Sequence, residues 1–244
     1  MKKPLLIAGP CSLEGEEMAK RISGELSELA DKYGFEYVFK ASFDKANRTS
    51  VDSKRGLGLR RAMDILDRLD CSTTTDIHEP IQAEYVSGVV DIIQIPAFLC
   101  RQTDLLVAAG ETGLPVNIKK GQMVSGKMMK HAVQKVRSTN CSTILLTERG
   151  SMFGMSDLVV DFRQVVDMKE LAPVIMDCTH SVQQPNGGST TGGQPKYIET
   201  LAKCAKAVGV DGYFFEVHPE PSKAWSDGAN MIKLSEFENI LKAI

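Results

Sequence analysis

Short apolar runs and longer amphipathic stretches alternate along this chain, and the alternation repeats eight times. Mostly apolar runs bounded by Gly, Pro or polar clusters predict buried strands. Apolar positions recurring at three- and four-residue spacing predict helices. The first strand spans residues 4–10 (PLLIAGP), and the helix after it spans 14–33, closed by Gly34. The second strand is the run Tyr37, Val38 and Phe39, followed by Lys40, a polar loop and a helix near 54–69. Strand three is 71–77 (CSTTTDI) with a helix near 79–86, and strand four is 91–96 (DIIQIP) with a helix over 101–111. Strand five is 115–120 (PVNIKK) with a helix near 125–137, and strand six is 143–149 (TILLTER) with one near 157–169. Strand seven is 173–180 (PVIMDCTH) with a helix near 196–208, and strand eight is 212–218 (GYFFEVH) with a last helix over 234–243.

Strands this apolar, each followed by a helix, are expected to be parallel and covered on the outside. Eight such units in 244 residues is the size of a single (β/α)8 TIM barrel, an α/β fold. An open doubly wound sheet is the competitor, but no GxGxxG turn follows any strand. No linker, repeat or low-complexity segment divides the chain, so residues 1–244 are expected to form one barrel domain.

Composition narrows the function. A net charge of -2 and a pI near 6.1 argue against a generic binder of nucleic acid or of anionic membranes. No apolar run approaches the roughly 18 residues of a membrane helix. The first apolar run is short for a signal peptide and continues into polar CSLEGEE. Six cysteines stand singly with no CxxC pair, which predicts free thiols in a reducing, cytoplasmic setting.

In a barrel of this kind the chemistry sits at the C-terminal ends of the strands. Those ends carry Cys11, Lys40, Asp76 with His78, Gln94, Lys119 with Lys120, Arg149, His180, and Glu216 with His218. One set is cationic: Lys40, Lys45, Arg48, Arg101, Lys119, Lys120 and Arg149. Alone, the Lys119–Lys120 pair reads as a solvated surface pair. At a strand end beside Arg149 it reads as an anion cradle, and the whole set predicts two phosphorylated or otherwise anionic substrates. The second set is Cys11, His180, Glu216 and Asp227, the residue types that bind divalent transition metals. Strands one, seven and eight are neighbours in a closed barrel, so the first three can converge, with Asp227 swinging over them from its loop. No HExxH or CxxC spacing marks this set, and Cys11 reads equally well as a buried thiol. His78 and His218 are expected to shape loops first and to bind ligands second, and Trp225 to pack the last loop. Residues 181–195, with four glycines and two prolines, suit a lid over the mouth.

With these residues placed, the sequence resembles the 3-deoxy-D-manno-octulosonate 8-phosphate synthase family from residue 4 to the end. The matching motifs are IAGPCSLE, FKASFDKANRTS, TTDIHE, DIIQIPAFLCRQTDLL, NIKKGQ, LTERG with FG, LVVDFR, DCTHSVQ and EVHPEPSKAWSDG. The related heptulosonate 7-phosphate synthases carry a KPRTS-type motif, so Ala46–Asn47 points to the octulosonate family. The resemblance implies condensation of phosphoenolpyruvate with D-arabinose 5-phosphate and water, releasing phosphate, as a step in lipopolysaccharide (Kdo) biosynthesis. It implies that Lys119 and Arg149 hold phosphoenolpyruvate, with Lys40, Lys45 and Gln94 close by. Asn47, Arg48 and Thr49 would hold the aldose and its phosphate, with Arg101 reaching that site from a neighbour in a homotetramer. Lys45 is a candidate proton donor, by position.

Metal-independent members carry Asn after AGP, whereas this chain has Cys11. The resemblance therefore implies the metal-dependent class, with Cys11, His180, Glu216 and Asp227 around Fe(II), Zn, Mn or Co. The sequence departs from the family in the lid (PNGGSTTGGQP) and after the lysine pair (QMVSGKMM). Two rival readings use the same residues. One is a Schiff-base aldolase with Lys40 or Lys119 as nucleophile. The other is a non-catalytic phosphosugar sensor.

Overall fold

The computed structural model describes residues 3–48, 50–141, 143–152, 157–184 and 192–244. The barrel strands are β1 (Leu5–Ser12), β2 (Glu36–Ser42), β3 (Ser72–Asp76), β4 (Ile92–Ile95), β5 (Val116–Lys119), β6 (Ile144–Glu148), β7 (Val174–Asp177) and β8 (Gly212–His218). They pair in parallel in chain order. β1 also pairs with β8, from Leu5↔Gly212 to Gly9↔Glu216, so the sheet closes on itself. The helices are α1 (Glu16–Tyr33), α2 (Leu59–Leu66), α3 (Pro80–Ser87), α4 (Thr103–Glu111), α5 (Lys130–Arg137), α6 (Phe162–Lys169), α7 (Ile198–Val208) and α8 (Phe237–Ala243), one after each strand. This is the (β/α)8 barrel that the alternation predicts. Among the described residues no helix is long and apolar enough to cross a membrane.

Strand side chains point alternately to two faces, and here the two faces meet different surroundings. Leu6, Phe39, Ile93, Val116, Leu146, Val174 and Phe215 face outward and join the helices in the large core. Ile7, Val38, Ile92, Leu145, Ile175 and Phe214 form a separate layer inside the barrel. Two residues further along, the inward positions turn polar: Lys40 after Val38, Gln94 after Ile92, Thr147 after Leu145, Asp177 after Ile175, Glu216 after Phe214. All of these are buried. Hydrocarbon thus fills the middle of the barrel, and charge lines its C-terminal end.

β1 departs from this regular pattern. Ala8 pairs with Phe39 and Cys11 with Ala41, so β1 spends three steps where β2 spends two. This bulge aims the Cys11 side chain at the mouth, and Cys11 takes a left-handed φ of 67°. The bulge also presses Gly9 onto β2, where an added Cβ would lie 2.0 Å from the Lys40 carbonyl oxygen. Backbone cannot yield as a side-chain tip can. Gly9→Ala is therefore expected to destabilise the protein by about 3 kcal/mol or more, measured by denaturant unfolding.

Several elements are shorter than their sequence patterns. α2 starts at Leu59, not near 54, because Gly56 and Gly58 take φ of 129° and 78°. α5 and α8 each begin after a 3-10 turn, Lys127–Met129 and Leu234–Glu236. α6 begins at Phe162, where the Asp161 carboxylate accepts from Arg163 N. β7 stops at Asp177, not at residue 180. The Asp177 Oδ1 accepts from Thr179 N, Thr179 Oγ1 and His180 N at 3.1, 3.1 and 2.8 Å, folding the chain into a turn.

Candidate active site

The C-terminal ends of the strands open into a cleft of about 580 Å³. Its walls include Lys40, Lys45, Asn47, Arg48, Gln94, Lys119, Arg149, His180 and Asp227. The Phe214 ring lies beneath two of its ammonium groups, with Lys119 Nζ 4.0 Å and Lys40 Nζ 5.7 Å from the ring centroid. Each also has carboxylate neighbours. Lys119 Nζ is 2.5 Å from Asp177 Oδ2. Lys40 Nζ donates to Ser42 Oγ at 2.9 Å and lies 3.7 Å from both Asp76 and Glu216. Ser42 Oγ in turn donates to Asp76.

Burial pulls the Lys119 pKa below the usual ammonium range, with Asp177 opposing it. Lys45 behaves differently. Burial would lower its pKa, but Cys11, Asp76, Glu216 and Asp227 together push it above the ordinary value. Arg149 donates through Nη2 to Gln183 Oε1 at 2.5 Å, while Nη1 is buried with no partner among the described residues. A buried guanidinium nitrogen with no acceptor is suited to an anionic ligand.

Beside these cations, Cys11, His180 and Glu216 bring one ligand atom each within 4.8 Å of one another. Three observations fit this set to a divalent ion. Both Glu216 carboxylate oxygens are buried without a hydrogen-bond partner among the described residues. His180 Nδ1 lies 2.8 Å from Asp177 Oδ2, which orients the ring and leaves Nε2, 3.6 Å from Glu216 Oε1, free to bind. Cys11 and Asp227 both hold left-handed backbone, φ 67° and 53°, a conformation that non-glycine residues keep only where their surroundings impose it. Burial drives the Cys11 thiol pKa up, and Glu216 drives it further. Asp227 stands next to the three. Its Oδ2 accepts from the Cys11 thiol at 3.3 Å and the Ser226 hydroxyl at 2.7 Å, and its Oδ1 accepts from Gln183 at 2.9 Å. Burial would raise its pKa, but His180 and Lys45 hold it well below the usual carboxylate range.

Most of the residues named from sequence meet here, and a few do not. Arg101 is exposed on the turn before α4 and is not part of the cleft wall; its carbonyl accepts from Lys135 at 2.8 Å. Thr49 and residues 185–191 of the expected lid lie outside the described residues, as does the FG motif at 153–154. The described ends of the lid form a short antiparallel ribbon, Gln183–Gln184 with Gly192–Gly193. Arg48 reaches across to the loop after β8, donating to Ser226 Oγ at 3.0 Å and the Trp225 carbonyl at 2.5 Å. His78 lines the cleft with Nε2 3.1 Å from Asp76, and His218 Nδ1 accepts from Glu220 N at 2.9 Å. Lys120 is a correction to the sequence reading: its side chain is fully buried behind the barrel wall and takes no part in the cleft.

Sequence reasoning missed Asp177, which pairs with both Lys119 and His180, and also Ser42, Gln183 and Ser226. For Asp177 a signal existed: it lies two residues after inward Ile175 at a strand end.

The sequence profile of the DAHP synthetase I family matches residues 2–244. A 2-dehydro-3-deoxyphosphooctonate aldolase of Desulfatibacillum aliphaticivorans is 53% identical over 97% of this chain and 89% of its own length. The proteins of the same name from Fusobacterium nucleatum and Synechococcus sp. are 49% and 50% identical. They cover 99% and 98% of this chain and 89% and 86% of their own. With about half its residues shared along almost the whole length of such relatives, this chain belongs to the DAHP synthetase I family, in its 2-dehydro-3-deoxyphosphooctonate aldolase branch.

Proposed function

We propose that this protein condenses phosphoenolpyruvate with D-arabinose 5-phosphate and water, giving 3-deoxy-D-manno-octulosonate 8-phosphate and inorganic phosphate for lipopolysaccharide synthesis. The observation that carries the reading is one cleft with two cationic stations, Lys40, Lys45, Lys119 and Arg149 for one anion and Arg48 beside Asn47 for the other. Two anionic substrates need two such stations. The names of the relatives agree with it.

Lys119, Arg149, Lys40, Lys45 and Gln94 seat phosphoenolpyruvate, and Asn47, Arg48 and Thr49 seat the aldose phosphate. Carbon three of the enol attacks the aldehyde carbon, and its π electrons become the new C–C bond. Water adds at carbon two, and the hemiketal so formed releases phosphate by C–O cleavage. The fixed cations offset the negative charge that gathers on the aldehyde oxygen and the departing phosphate. Lys45 keeps its charge close to the aldehyde oxygen, and the proton reaches that oxygen from water or from Lys45. Cys11, His180, Glu216 and Asp227 would hold a divalent metal, Fe(II), Zn, Mn or Co, since a mixed S/N/O set does not choose sharply. When bound, such an ion supplies Lewis-acid polarisation and ordering of a water or sugar hydroxyl.

The protein is further proposed to act as one domain over residues 1–244, in the cytoplasm, as a homotetramer in which Arg101 serves a neighbouring site. The exposed position of Arg101, away from its own cleft, and six free cysteines support this. The substrate assignment is tested by phosphate release from phosphoenolpyruvate with arabinose 5-phosphate or erythrose 4-phosphate. Release with arabinose 5-phosphate at least about 10²-fold more efficient is expected. Preference for the four-carbon sugar would move the activity to the heptulosonate reaction. Borohydride trapping of a covalent adduct would move the mechanism to a Schiff base.

A further inference from the structure

Two residues next in sequence to the phosphoenolpyruvate-holding cations point the other way. Lys120 follows Lys119, and Glu148 precedes Arg149; strand alternation sends both behind the barrel wall, where they are 0% and 1% exposed. There they meet. Lys120 Nζ lies 3.5 Å from Glu148 Oε1. It also lies within hydrogen-bond distance of the carbonyls of Gly121, Val124 and Gly150, at 3.3, 3.2 and 3.2 Å, and of Ser151 Oγ, at 3.0 Å, and shares its three N–H groups among them. Glu148 Oε1 accepts from the backbone N–H of Arg149 and of Gly150, at 3.0 and 2.6 Å. The ammonium thus ties the loop after β5 to the loop after β6, and the carboxylate grips the backbone from which the Arg149 side chain springs.

We propose that Lys120 and Glu148 are a positioning pair that sets the spacing of Lys119 and Arg149, and so the affinity for phosphoenolpyruvate, an inference resting on the function proposed above. A buried ion pair is weak evidence for stability alone, because hydrocarbon of similar volume does as well or better. Hydrocarbon cannot hold three carbonyls, a hydroxyl and two backbone N–H groups in register. Burial pulls the Lys120 pKa down and pushes that of Glu148 up, each opposed by the other, so the two charges depend on each other. Neither residue lines the cleft, so neither touches substrate directly.

The test is steady-state phosphate release with each substrate varied at saturation of the other, in wild type, Lys120→Met, Ser151→Ala and Lys120→Met/Glu148→Gln. The double variant removes the charge that Lys120→Met would strand, while the Gln carbonyl can still accept from Arg149 and Gly150. It decides the matter by the same criterion if Lys120→Met does not fold. In the folded lysine variant or variants the KM for phosphoenolpyruvate is expected to rise about tenfold or more, and in Ser151→Ala about threefold. The KM for arabinose 5-phosphate should stay within about twofold of wild type in all of them. Equal rises in both KM values, or an unchanged KM for phosphoenolpyruvate, overturn the positioning role. Inactive wild-type protein would strike at the proposed reaction instead, and the two failures are separable.

Discussion

Cys11→Ala is expected to bind divalent metal at least about 10²-fold more weakly than wild type and to lose activity with it, because the thiolate is the one sulfur ligand of the set. Metal content after dialysis against a known free concentration reads this directly. Cys11→Asn separates ligand loss from folding. The backbone here is left-handed, φ 67°, a region costing an ordinary residue roughly 1–2 kcal/mol and asparagine less. The asparagine variant should therefore melt at or above metal-free wild type, whereas the alanine variant gains no such relief. The resemblance places asparagine at this position in metal-independent relatives, so any activity that Cys11→Asn retains should be indifferent to chelator. Wild-type metal affinity in Cys11→Ala would remove Cys11 from the ligand set.

Lys119→Met has the second large effect. Its ammonium sits over Phe214, 2.5 Å from Asp177 and 3.3 Å from His180 Nδ1. Removing it subtracts a charge-assisted contact from the proposed phosphoenolpyruvate station and leaves Asp177 short of a partner. A fall in kcat/KM of about 10³-fold, or ~4 kcal/mol at about 1.36 kcal/mol per decade, is expected. Stability should fall as well, because a buried carboxylate has lost one of its counter-charges. Kinetics and denaturant unfolding of the same preparation separate the two. A kcat/KM within about threefold of wild type would take Lys119 out of the substrate site.

The fold was legible because each strand is an apolar run with a helix behind it, and the order of the residues dictates the order of the barrel. What blurred was the ends of elements, where side-chain chemistry decides. The stop at Asp177 comes from a carboxylate folding back onto Thr179 and His180, and the late start of α2 from two glycines with positive φ. The convergence of Cys11, His180 and Glu216 was also legible, since β1, β7 and β8 must be neighbours in a closed barrel. Lys119 and Lys120 look like one patch in the sequence, although strand alternation sends neighbours to opposite faces, and Lys120 goes behind the wall. Asp177 was overlooked because an acid among cations looks wrong for an anion site until its two partners, Lys119 and His180, are seen. Partnerships between residues far apart in the chain, such as Arg48 with Ser226, have no local signature at all.

A metal held at Cys11, His180 and Glu216 is proposed to work beside the cationic cleft. The most direct measurement is phosphate release from phosphoenolpyruvate with arabinose 5-phosphate before chelation, after it, and after add-back of Mn(II) or Fe(II). Activity that disappears with chelator and returns with metal is the predicted result. Full activity in protein shown to be metal-free would contradict the account.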